Sequence, residues 1–159
     1  AQLSRILGFD FIAITRDDKK HKLLKERGAH ELRTNLINLE VDAAIDCVGG
    51  KAGTDLAACV RSGGRFQALG LLSGQQVDWA KLAKLPIDVS IFHLRHWNTK
   101  LSPEEWQKSL QTLANLVVDG HLILNQAVDI IPYDQLIEAL EYSQKNKRLI
   151  SFIQKTHEL

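Results

Sequence analysis

The chain has 159 residues, 45% of them hydrophobic and 25% charged, which suits one compact core and does not resemble a disordered tail. Twenty Lys and Arg stand against nineteen Asp and Glu with the signs interleaved, for a formal net charge of +1, so no basic arm offers itself to nucleic acid. No apolar run approaches the ~18–20 residues that span a bilayer, and Ala1 to Gly8 lacks the layout of a secretion signal, so the expected location is the cytoplasm, with no membrane partner.

The first residues, Ala1 to Leu7, place Leu3, Ile6 and Leu7 at helical spacing and meet Gly8, the pattern of an amphipathic helix ending on a glycine cap. Phe9 to Thr15 predicts a strand, and Asp17-Asp18 supplies an N-cap for a helix carrying Leu23 and Leu24 up to Gly28. His30 to Arg33 predicts a short strand. Thr34 to Glu40 is a connection in which the expected helix is missing or very short. Val41 to Val48 (VDAAIDCV) is largely apolar and reads as a strand buried on both faces.

Gly49-Gly50 then turns into a helix over Ala52 to Val60 with Leu56, Ala57 and Val60 inward, and Gly63-Gly64 returns the chain to a strand over Arg65 to Leu71. Gly70 to Gly74 is a loop, Val77 to Leu85 a short helix, and Ile87 to His96 a further strand. The next helix is the best marked. Ser102 is its N-cap, Pro103 its first residue and Glu105 completes a capping box, with Trp106, Leu110, Leu113 and Val117 on one face until Asp119-Gly120. A strand over Ala127 to Ile131, a helix capped by Asp134 and a last strand over Leu149 to Ile153 complete the pattern. Strands alternating with helices predict one α/β domain over residues 1–159, a doubly wound, mostly parallel sheet covered on both sides.

Such sheets bind ligands beyond the carboxyl ends of their strands, which directs attention to the loops after Thr15, Val48, Leu69 and Phe92. Arg16, with Lys19 and Lys20 behind it, stands where a basic residue suits a ribose 2′-phosphate and an acidic one suits a free diol; the other reading is a solvated cation. Gly49, Gly50, Gly70 and Gly74 either let backbone amides approach a ligand or are plain turn glycines. The fingerprint G-x-G-x-x-G is absent from the sequence, so the chain by itself is expected to bind a dinucleotide poorly.

Other chemistries find less support. Cys47 and Cys59 lie in apolar segments and are expected to be reduced core thiols. His93 and His96, three apart on a predicted strand, would face opposite sides and hold no metal. Glu104 and Glu105 are explained by their helix N-terminus, and Trp97 and Trp106 by packing. There is no G-x-S-x-G elbow and no P-loop.

Several stretches together resemble a known family: Phe9 to Arg16 followed by KLLKERGAHEL, then VDAAIDCVGGK, GGRFQALGLLSG, IFHLRHWN with SPEEW behind it, and LISFI. They are similar to the cofactor-domain half of medium-chain dehydrogenases/reductases, and most of all to the zinc-free NADPH-dependent quinone oxidoreductases and 2-enoyl thioester reductases. The resemblance covers essentially the whole chain. It implies a Rossmann-like fold with strand order 3-2-1-4-5-6, NADP(H) as cofactor, a small-molecule acceptor, and a homodimer joined through the edge strand near Ile87 to His96. It further implies that Arg16, helped by Lys20, holds the 2′-phosphate, and that Cys47-Val48-Gly49 and Gly70-Leu71-Leu72 border the ribose and nicotinamide. The backbone at Phe92-His93-Leu94 would meet the carboxamide, and Arg148 stands where relatives often carry a lysine near the cofactor.

Set beside that family, the sequence lacks the N-terminal catalytic domain, the first Rossmann strand and its glycine-rich loop, and its 34–40 connection is shorter by about a helix. The native polypeptide is therefore expected to be longer, and the catalytic residues to lie elsewhere. The expected function is NADP(H) binding within an oxidoreductase that reduces an activated C=C bond or a quinone-like acceptor, with this chain inactive alone. One alternative is a non-catalytic dimerisation or binding module derived from such a reductase. A methyltransferase is disfavoured by Arg16, because S-adenosylmethionine has no 2′-phosphate.

Overall fold

A computed structural model describes residues 1–124, 128–146 and 149–153. They divide into two compact units, Ala1–His121 and Leu122–Leu159.

The first unit opens with α1 (Gln2–Leu7), ended by Gly8 at φ 74°. Strand β1 (Ile12–Ile14), helix α2 (His21–Glu26) and strand β2 (Glu31–Arg33) follow, and β1 and β2 pair in parallel. The N-cap of α2 is Lys20, with no side-chain bond. Asp17 and Asp18 are not the cap: the Asp17 carboxylate turns back on the Lys19 N–H at 3.1 Å, and the Asp18 carbonyl accepts the His21 N–H. Residues 34–40 form a turn with no helix, where Asn38 takes a left-handed φ of 52°.

A second sheet has the order β3 (Val41–Asp46), β4 (Val60–Ala68), β5 (Asp88–Ile91), all parallel. Helices α3 (Gly50–Ala57) and α4 (Trp79–Leu82) connect its strands. Val60 belongs to β4 rather than to α3. The register then jumps from Val41↔Val60 to Ala43↔Arg65, so the Gly63-Gly64 turn is an irregularity inside the strand. The core of this half is Ala44, Ala57, Val60, Phe66, Val77 and Leu82, with Phe66 fully buried on the central strand.

The alternation of strands and helices gives the expected parallel α/β fold, with the two faces of β3 unequally buried among the described residues. Along β3, Ala44 and Asp46 are buried while Ala43 and Ile45 are exposed, Ile45 at 65%. The second face carries a polar ladder instead, with Arg65 Nε on Asp88 at 2.9 Å and Ser90 Oγ on Gln67 at 2.9 Å. Among the described residues the strands stand in three sheets, β1-β2, β3-β4-β5 and one further parallel pair.

After β5 the chain forms α5 (Leu94–Asn98) and α6 (Pro103–Val118). The predicted strand thus stops at Ile91. His93 becomes a helix N-cap whose carbonyl accepts the Trp97 N–H. The capping box of α6 is present in both directions, Glu105 N–H on Ser102 Oγ at 3.1 Å and Ser102 N–H on Glu105 Oε2 at 2.8 Å. Its apolar face remains open, with Leu110 and Leu113 exposed.

The second unit holds β6 (Val128–Pro132), a 3-10 turn (Tyr133–Gln135), α7 (Leu136–Asn146) and β7 (Leu149–Ile153), and β6 and β7 pair in parallel. A parallel pair needs such a crossover. Among the described residues, no helix is long and apolar enough to cross a membrane.

Candidate cofactor site

Three loops leave the carboxyl ends of β3, β4 and β5, and hydrogen bonds lace the first two together. The Asp46 carbonyl accepts the N–H groups of Leu69 (2.8 Å) and Gly70 (3.2 Å), Cys47 that of Leu72 (3.2 Å), and Val48 that of Ser73 (2.8 Å). Returning across the gap, Gly50 donates to the Gln75 carbonyl at 2.7 Å. The third loop joins through Phe92, whose N–H meets the Ala68 carbonyl at 2.8 Å. Cys47-Val48-Gly49, Gly70-Leu71-Leu72 and Phe92 are therefore brought to one end of one sheet.

The glycines act differently from what their positions suggest. The Gly49 amide is held by the Asp46 carboxylate, that of Gly50 by Gln75, that of Gly70 by Asp46 and that of Gly74 by Leu71. All four amides are bonded within the protein. Gly49 is required for a different reason: its φ of 76° and ψ of −165° suit glycine alone, and a Cβ there would run into the Gln75 carbonyl. With its amides turned inward, the laced pair of loops presents side chains: the Cys47 thiol, Val48, Leu71 and Leu72, all exposed. This is an apolar shelf, which suits the flat face of a ring and a sugar edge better than a pyrophosphate.

Cys47 is thus no core thiol. It follows the last strand residue, where the chain leaves the sheet for solvent. Cys59 is half-buried, and burial followed by the nearby Asp55 charge pushes its thiol pKa up. His93 and His96 also depart from expectation. Because α5 begins at Leu94, their rings meet edge-on with centroids 5.2 Å apart rather than facing opposite ways. Among the described residues no group of three or more His, Cys, Asp or Glu is placed to hold a metal. Leu94 opens α5 and is exposed, while Phe92, Trp97 and Trp106 form a run of ring contacts at 6.5 and 6.2 Å.

Arg16 and Lys20 belong to the other sheet of the first unit, just past the carboxyl end of β1. Thr15 extends the pairing by donating its N–H to the Arg33 carbonyl at 2.9 Å, and its hydroxyl donates to the Asp17 carbonyl at 2.6 Å. The hydroxyl proton being engaged there, the contact to His21 Nε2 at 2.8 Å has the imidazole N–H donating. The loop is therefore organised around Thr15. Lys19 reaches Asp17 at 4.0 Å, whereas Arg16 and Lys20 are exposed and have no ion pair among the described residues. Two unpaired cations at a strand's carboxyl end fit a dianionic phosphate. Arg148 lies outside the described residues.

The residue that sequence reasoning missed is Asp46, a carboxylate only 3% exposed at the root of the first loop. Its signal was present: a charged residue inside an apolar run, directly before a Gly-Gly turn, needs bonded partners if the run is buried.

Parallel strands connected by helices, with the candidate groups gathered at carboxyl ends, define an α/β domain of the Rossmann kind. The family model described as zinc-binding dehydrogenase matches residues 7–149, and the chain belongs to that family of oxidoreductases, within the zinc-free part of the medium-chain dehydrogenase/reductase superfamily. A curated relative, the mitochondrial enoyl-[acyl-carrier-protein] reductase of Mus musculus, is 31% identical over 104 residues, 64% of this chain and 28% of its own. The crystal structure of a Bacillus thuringiensis protein assigned as an NADPH:quinone reductase matches with a TM-score of 0.86 at 36% identity, covering 91% of this chain and 47% of that one. A mutant Etr1p structure, in complex with NADP and crotonyl-CoA, matches in fold with a TM-score of 0.73 at 19% identity, over 94% of this chain and 49% of that one. The chain therefore spans less than half the length of these proteins.

Proposed function

We propose that the chain is the NADP(H)-binding portion of a reductase that delivers hydride from NADPH to an activated C=C bond, as in an enoyl thioester, or to a quinone-like acceptor. The observation that carries this reading is the pair of exposed, unpaired cations Arg16 and Lys20 past β1, in a family whose relatives include enoyl and quinone reductases. In this reading Arg16 and Lys20 hold the 2′-phosphate. The shelf of Cys47, Val48, Leu71 and Leu72 supports the ribose and nicotinamide and sheds water from that face. Phe92, His93 and Leu94 border the carboxamide end. When bound, the cofactor supplies the hydride; this chain's residues orient it and set its charge environment.

Further parts of the reading concern the whole protein. Among the described residues β1 and β3 each pair on one edge alone, so an added parallel strand from a longer polypeptide would join the two sheets and satisfy their open backbone groups. That polypeptide would also carry the catalytic residues, leaving this chain inactive alone. β5 is an edge strand with Ile91 exposed, which supports a homodimer built across it and also keeps open a dimerisation module without catalysis. Compartment belongs to the proposal too: cytoplasm is the sequence expectation, while the mouse relative is mitochondrial by name. Fractionation of cells separates the two.

The test is cofactor choice. In the full-length polypeptide, Arg16→Asp is expected to weaken NADPH relative to NADH by about 1–3 kcal/mol, roughly fivefold to 150-fold, as a charge-assisted phosphate contact becomes a repulsion. Unchanged NADPH/NADH selectivity defeats the assignment.

A further inference from the structure

Asp46 ends β3 with its side chain turned into the protein. Its Oδ1 accepts the N–H groups of Val48 at 2.9 Å and Gly49 at 3.1 Å, and its Oδ2 accepts that of Gly49 at 3.0 Å. Behind it lies Gly53 of α3, where a Cβ would stand 2.7 Å from the Asp46 Cγ, so the carboxylate has room only because residue 53 has no side chain. In front, the carbonyls of Cys47 and Val48 are held by Leu72 and Ser73. The turn is thus tied below to a buried charge and above to the neighbouring loop. It cannot tilt without leaving that carboxylate short of donors, which is costly away from water.

We propose that Asp46 is a positioning residue for hydride transfer: through the Val48 and Gly49 amides it sets the height and tilt of the turn on which the nicotinamide half of the cofactor lies. The inference rests on the NADP(H) reading. That reading places the 2′-phosphate at Arg16 and Lys20 on the other sheet, so the two halves of the cofactor should respond separately to changes at Asp46.

Two variants of the full chain test it. Asp46→Asn keeps the volume and one carbonyl oxygen but removes the charge, while Gly53→Ala keeps the charge and displaces it. Binding of NADPH is compared with binding of adenosine 2′,5′-bisphosphate, which has the phosphate end and no nicotinamide. Both variants are expected to lose NADPH affinity by about tenfold or more, the scale of a bond to a charged group, and to keep bisphosphate affinity within about twofold. Amide exchange at Val48 and Gly49 should accelerate in the cofactor-free protein. The proposal is overturned if the variants bind NADPH as the parent does, or lose both ligands equally, which would make Asp46 a structural residue alone. A parent polypeptide of full length that binds neither ligand overturns the NADP(H) reading itself, and this inference with it; the exchange rates then still report whether Asp46 holds the turn.

Discussion

Gly49→Ala tests the two-loop platform most directly. At φ 76° and ψ −165° the residue occupies backbone space that side chains avoid, a strain of about 1–3 kcal/mol for alanine. The added Cβ would also run into the Gln75 carbonyl and stand 3.1 Å from Leu71 Cδ1. Moving that carbonyl breaks its 2.7 Å bond from the Gly50 N–H, a further net loss of about 0.5–1.5 kcal/mol. The expected destabilisation is therefore about 2–4 kcal/mol. Gly74→Ala is the internal control, because Gly74 has a similar φ of 73° and nothing lies within 4 Å of where an added Cβ would stand. It should cost about 1 kcal/mol, the strain being partly offset by a less flexible unfolded chain. Urea unfolding of both variants, read by tryptophan fluorescence, supplies the comparison. Equal losses would refute the reasoning, since strain alone would then account for both and the contact with Gln75 would have no energetic weight.

Three further expectations follow from the same geometry. Because Cys47 is exposed on the shelf and Cys59 is half-buried with a raised pKa, a thiol alkylating reagent should label Cys47 first; saturating NADPH in the full chain should slow that labelling and not the labelling of Cys59, as mass mapping of the adducts would reveal. Phe66→Ala, at a fully buried position on β4, should cost about 3–5 kcal/mol by chemical denaturation, and a loss under about 1 kcal/mol would contradict the core described above. Asp78 caps α4, and the Lys81 backbone N–H holds its pKa below the ordinary 3.8. A depressed carboxyl contributes stability above its unfolded pKa and loses it as pH falls through the folded one, so Asp78→Asn should flatten the stability profile only on the acid side of about pH 4.

Local chemistry was legible in the sequence wherever neighbours along the chain decide it. The capping box at Ser102 and Glu105 marks the start of α6 because its donors and acceptors lie within one helical turn. Gly8, Gly28 and Gly120 end helices because a left-handed residue was needed there. The bounds of β7, Leu149–Ile153, likewise agree with its apolar run. The candidate loops too were found from strand ends alone, since a parallel α/β sheet gathers its ligand groups at one end.

Partners far along the chain decided the rest. No pattern within VDAAIDCV tells that Ile45 and Cys47 are exposed while Ala44 and Asp46 are buried; that depends on which face of β3 the helices of the first unit pack against. The strand predicted to reach His96 stops at Ile91, because β4 ends at Ala68 and offers no further register, and the freed backbone winds into α5. The same reason governs the glycines. Their spacing announced a tight turn, but whether an amide faces a ligand or the protein depends on its nearest acceptor, and for Gly50 that acceptor is Gln75, supplied by the loop after the next strand. The sequence by itself determined most of the element types, though not α5, together with the family and the loops worth searching. The tertiary structure decided which atoms those loops present: the backbone donors find acceptors inside the protein, an apolar shelf remains at the end of one sheet, and past β1 of the other sheet stand two cations with no ion pair among the described residues.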